Sequence, residues 1–182
     1  MERCLSGSKY KALLHVPCVQ MVWAAKANDD AAEKQELARV AEATLLARAN
    51  PDLSVVIDNF VELDRGYCSC WGLVNRLYNP KDGSRIVTSL NAVLPKQLRN
   101  LASHQTKGGR IVCAESDKGT VYLVLPSSPA TQDSADADMV RELANIQGVA
   151  INLSDGEQEN TSLADLIRVR ASDKTPQPPI LL

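Results

Sequence analysis

Cysteine-based covalent catalysis needs a thiol, a histidine within hydrogen-bond reach to take its proton, and a group that orients the histidine. The chain has five cysteines, Cys4, Cys18, Cys68, Cys70 and Cys113, and two histidines, His15 and His104. His104 is the only histidine after Cys70. The cysteines form no CxxC pair and have no histidines at zinc-finger spacing, and their odd number fits reduced thiols in a cytoplasmic or otherwise intracellular setting. Carboxylates cluster at Asp133, Asp136 and Asp138 and again at Asp155, Glu157 and Glu159, but the second cluster lacks the EF-hand spacing and its closing glutamate, and both read as helix-capping and solvated loop residues. Lys107-Gly108-Gly109 lacks the spacing of a phosphate-binding glycine loop. Neither a metal nor a cofactor is therefore expected.

The segment Ser69-Cys70-Trp71-Gly72-Leu73-Val74-Asn75-Arg76-Leu77-Tyr78 resembles the nucleophile motif of NlpC/P60-type cysteine peptidases, in which a Cys precedes Gly-Leu-Val and a Tyr on a helix. The resemblance covers about ten residues and implies a cysteine hydrolase with Cys70 as nucleophile and His104 as base. Ser69 stands where that family usually carries Asp, and His104 lies in a polar stretch, 103–107, instead of opening a strand. Read from its residues alone, the same segment is a buried strand, with Cys68 and Cys70 as small apolar side chains and Trp71 filling core.

A third chemistry is electrostatic. Arg76, Lys81, Arg85, Lys96, Arg99, Lys107 and Arg110 bracket the expected hairpin loops, with Tyr67, Trp71 and Tyr78 nearby, as a small single-strand nucleic-acid-binding barrel would require. A net charge of −2 and an aromatic fraction of 4% oppose it, and an ordinary solvated charged surface accounts for the same residues. The remaining reading is a non-catalytic interaction or assembly module of a larger complex, bound to a protein partner or to a second copy of the chain. Its sequence support is the apolar end of a proline-rich tail, Pro176 to Leu182, which a partner or the protein's own groove would have to cover.

The elements that must position these residues follow from periodicity and turn chemistry. Residues 1–27 fit a strand or a short helix. They loosely resemble a secretory signal, but His15, Pro17 and Gln20 interrupt the apolar stretch. Asp30 and Glu33 have capping-box form, and Leu37, Val40, Ala41, Thr44 and Leu45 recur at helical spacing until Asn50-Pro51 ends the helix. A strand is expected over 53–57, a hairpin from 67–78 and 84–90, a short helix over 94–102, and a second hairpin from 110–115 and 120–125 around Ser116 to Gly119. Then come a loop over 127–136, a helix over 134–146, a strand over 149–153, a polar loop over 154–160 and a helix over 162–170.

At 182 residues, 45% apolar and 23% charged, the chain fits one globular α+β domain over 1–170 with an extended proline-rich tail over 171–182. The expected architecture is a mainly antiparallel sheet of about five or six strands flanked by three or four helices. No apolar run approaches the roughly 18 residues a membrane-spanning helix needs, so no membrane association is expected.

Overall fold

The computed structural model of the protein describes residues 12–16, 19–20, 30–57, 60–64, 69–70, 72–106, 109–125, 146–153, 157–172 and 180–182. In chain order the elements are β1 (Ala12–Val16), β2 (Val19–Gln20), α1 (Asp30–Ala49), β3 (Leu53–Ile57), β4 (Leu63–Asp64), β5 (Ser69–Cys70) and α2 (Asp82–Val93). They continue as β6 (Arg99–Thr106), β7 (Gly109–Ser116), β8 (Gly119–Leu125), β9 (Gln147–Asn152), β10 (Gln158–Ser162), α3 (Leu163–Ser172) and β11 (Ile180–Leu181). The main sheet has six strands in the order β10-β9-β11-β8-β7-β6, every neighbouring pair antiparallel. The expected α+β class with an antiparallel sheet is what the chain forms, and three helices lie among the described residues.

Alternation along the central strands feeds two cores. Val112, Ala114, Leu123, Leu125, Leu153 and Leu181 face α1 and α2, where Leu37, Val40, Ala41, Leu45, Ile86 and Leu90 meet them. The opposite face carries Ile111 and Val124, covered by Leu163 and Ile167 of α3. Successive strand residues point to opposite faces, so each of β7 and β8 supplies both cores. Arg110 of β7 makes a two-pronged ion pair with Glu42, which ties α1 to the sheet.

Helix α1 forms where its periodicity places it, and Asn50 closes it by donating to Leu46 O from both its backbone and its side chain. Strand β3 also lies where expected, but it pairs in parallel with β1 outside the main sheet. At α3 the N-terminal turn is closed by Ser162, whose hydroxyl accepts from Asp165 N and donates to the Asp165 carboxylate.

Three expectations are corrected. The stretch 84–90, expected as a strand of the first hairpin, lies within α2. Its Ile, Val, Thr and Ser content favours strands locally, but Gly83, Ile86 and Leu90 fall at helical spacing and bury against α1. The stretch 94–102, expected as a helix, is irregular up to Leu98 and then enters β6. A bulge between Arg99 and Ala102, with Asn100 at φ 52°, breaks the alternation, so that Leu94, Leu98 and Leu101 imitate helical spacing. Part of the expected polar loop over 154–160 is β10, an edge strand too polar to show an apolar alternation.

The apolar chain end has its cover within the fold. Ile180 and Leu181 form β11 between β8 and β9, Leu181 is buried, and Leu182 exchanges two backbone hydrogen bonds with Tyr122. The helix expected over 134–146 and the loop over 127–136 lie outside the described residues, apart from Ile146.

Candidate functional site

Between β5 and α2 the chain makes a loop built in two stages. At its base Val74 is buried and bridges Val61 in parallel and Pro80 in antiparallel fashion. Glu62 N donates to Val74 O, Val74 N donates to Phe60 O, and Lys81 N donates to Leu73 O, each at 2.9 Å. The Lys81 ammonium adds an ion pair to Glu62 at 2.7 Å. Gly72 makes this approach possible, because a Cβ there would lie 2.1 Å from Glu62 N and 2.5 Å from Val61 C.

The tip, 75–79, is fixed by one side chain. The Asn75 carboxamide oxygen accepts from both Leu77 N and Asn79 N at 2.9 Å, an Asx turn, while Asn75 N donates to Asn79 O and Tyr78 N donates to Asn75 O. Closing the turn puts Tyr78 at φ 62°, a left-handed conformation that costs a residue with a Cβ about 1–2 kcal/mol. The ordered tip presents its apolar groups to solvent: Leu77 is 79% exposed and Tyr78 71%, with Phe60 beside the loop base at 63%. Arg76 adds an exposed cation to the same tip. This is an apolar, partly aromatic protrusion on a hydrogen-bonded frame, suited to insertion into a complementary pocket.

The residues nominated from sequence are distributed as follows. Cys70 lies on β5, paired through its backbone with Val19 and Leu63 in a small three-stranded sheet. The chain after it is not the helix that the peptidase resemblance implies: 72–81 forms the loop just described, and the next helix starts at Asp82. His104 lies on β6 of the main sheet, inside a strand instead of the expected polar connector, with its Nε2 3.7 Å from Cys113 Sγ. Sequence reasoning missed that pairing. The register is set by the pairing of Thr106 with Gly109, which places His104 opposite Ile111 and Ala102 opposite Cys113.

Of the basic residues, Lys81 is paired with Glu62, Arg85 lies 3.7 Å from Asp82, and Arg110 is clasped by Glu42. Arg76, Lys96 and Arg99 are exposed, and Lys107 lies outside the described residues. No group of histidines, cysteines and carboxylates able to hold a metal ion occurs among the described residues, and none of their helices is long and apolar enough to cross a membrane.

No protein-family model matches this α+β chain, and a search of curated proteins returns no significant match.

Proposed function

We propose that the chain is a non-catalytic interaction module, and that the Leu77-Tyr78 tip is the element it inserts into a protein partner. The observation carrying this reading is the pairing of high exposure with a fixed conformation at two adjacent large apolar residues. A flexible loop would lose conformational entropy on binding, whereas a turn already held by Asn75 loses little. Moving Leu77 and Tyr78 from water into a pocket contributes about 1.5–3 kcal/mol for the leucine and a comparable amount for the ring. The partner chemistry that fits is an apolar pocket.

The nucleic-acid reading draws less support, because carboxylates already match the charges of Lys81, Arg85 and Arg110. The hydrolase reading loses the helix on which its resemblance depends.

The test is affinity co-purification from the native host with the full chain, comparing the wild type with a Leu77→Ser/Tyr78→Ser double variant and with an Asp117→Ser/Lys118→Ser control on a different exposed turn. A partner retained by the wild type and the control but lost from the double variant, at unchanged thermal stability, is the expected result. Equal retention by all three proteins, or retention of nothing beyond a blank resin, would overturn the reading.

A further inference from the structure

The thiol at Cys113 has the one histidine that the sequence offered to Cys70. Cys113 is a free, half-buried cysteine on β7, and β6 runs beside it as the last strand of the sheet. Antiparallel register places Ala102 and Tyr122 directly across from Cys113 on its two sides, and His104 one step diagonally. The Sγ lies 3.7 Å from His104 Nε2 and also 3.7 Å from Ala102 O. These contacts hold the sulfur between a carbonyl that can accept its proton weakly and an imidazole nitrogen that can take it, once the other ring nitrogen carries the histidine's proton.

We propose that Cys113 is a thiol–disulfide exchange site for small disulfides, with His104 as the base. The Sγ proton passes to His104 Nε2 as the sulfur attacks one sulfur of an incoming low-molecular-weight disulfide. The incoming S–S bond breaks, a Cys113–S–S–R bond forms, and the departing thiolate takes a proton from His104 or from solvent. The modified residue is a mixed disulfide, and the released small thiol carries the other half of the reagent. Half-burial of Cys113 favours small disulfides over those of folded proteins. The pairing is independent of the Leu77-Tyr78 tip and stands or falls separately from it.

The experiment uses the full chain with Cys4, Cys18, Cys68 and Cys70 changed to Ser, treated with glutathione disulfide across pH and followed by intact mass. The expected result is a single mixed disulfide whose rate near neutral pH falls by about tenfold or more in His104→Gln, because a positioned base is lost. That gap should narrow in alkaline solution, where hydroxide removes the thiol proton without His104. A purely structural role for His104 would leave the two pH profiles parallel. If the four-serine chain does not fold, the wild-type chain is labelled under the same conditions and Cys113 is read by peptide mapping. Equal rates with and without His104, or modification of Cys113 only in denaturant, would overturn the proposal.

Discussion

Two turns in this chain use the same local device to opposite ends. At 116–119 the Ser116 hydroxyl accepts from Lys118 N and donates to Gly119 O, closing the β7–β8 hairpin with Asp117 and Lys118 in solvent. The residue with the unusual dihedral there is a glycine, Gly119 at φ 134°, and charged groups occupy the tip. At 75–79 the Asn75 side chain plays the part of Ser116, but the left-handed residue is a tyrosine and the tip is apolar. Each choice at 75–79 lowers stability relative to the hairpin solution: a Cβ in the left-handed region, and two large apolar side chains left in water. A turn whose only task is to reverse the chain has no reason to carry both. The difference is what a docking element would show and a connector would not.

The largest expected effect lies at the base of the candidate loop. In Gly72→Ala the new methyl would have to share space with the backbone of Val61 and Glu62, so the ladder through Val74 must open. Unfolding in urea should show a loss of about 3 kcal/mol, the upper end for overpacking. Gly119→Ala makes the contrast, since its Cβ meets nothing within 4 Å and only the backbone dihedral resists it. A comparable loss at both sites would mean that the base at 72 is no tighter than the hairpin.

Next come the two closing side chains. Asn75→Ala removes an acceptor shared by two backbone N–H groups, and should cost about 1–2 kcal/mol together with most of the partner retention. Ser116→Ala should cost about 1 kcal/mol and leave retention unchanged. Smaller again, and opposite in sign, are the dihedral exchanges. Tyr78→Gly relieves a strained φ and should raise stability by about 0.5–1 kcal/mol while weakening docking, whereas Gly119→Ala should lower it by a similar amount. Calorimetric melting of the two variants side by side decides it. A destabilised Tyr78→Gly would show that the ring makes contacts that matter to the fold, and the turn would then be structural.

The parts of this fold that periodicity dictates were legible in the sequence. Leu37, Val40, Ala41 and Leu45 define α1, and the alternation of β7 and β8 about Ser116 to Gly119 defines the central hairpin. What stayed hidden depends on partners distant in sequence. Ile86 and Leu90 are helical because α1 receives them, β6 is a strand because β7 offers it a ladder, and β11 is two residues long. The candidate tip was not visible. Leu77 and Tyr78 looked like the end of a buried strand, and only the Asn75 bonds show why they face solvent. The His104–Cys113 contact required β6 to be a strand, which the helix-like spacing of Leu94, Leu98 and Leu101 concealed.

The smallest predicted effect supplies the control that the comparison of turns needs, a stabilising change outside both turns. Glu36 on α1 has one carboxylate oxygen, Oε2, buried without a hydrogen-bond partner among the described residues, while Oε1 accepts from Arg39 at 2.7 Å. Burial pushes its carboxyl above the ordinary value of 4.5, and the Arg39 charge only partly opposes that. A carboxyl raised in the folded state disfavours folding in its ionised form. The penalty is absent below pH 4.5, grows as pH rises towards the folded value, and is complete above it. Glu36→Gln should therefore raise the melting temperature modestly at neutral pH, with the gain vanishing in acid, and it should leave partner retention untouched. Tyr78→Gly should raise stability at every pH and reduce retention. If Glu36→Gln weakened docking as well, the loss in Tyr78→Gly would follow from stiffening of the whole chain, and the tip would lose its claim to be the contact.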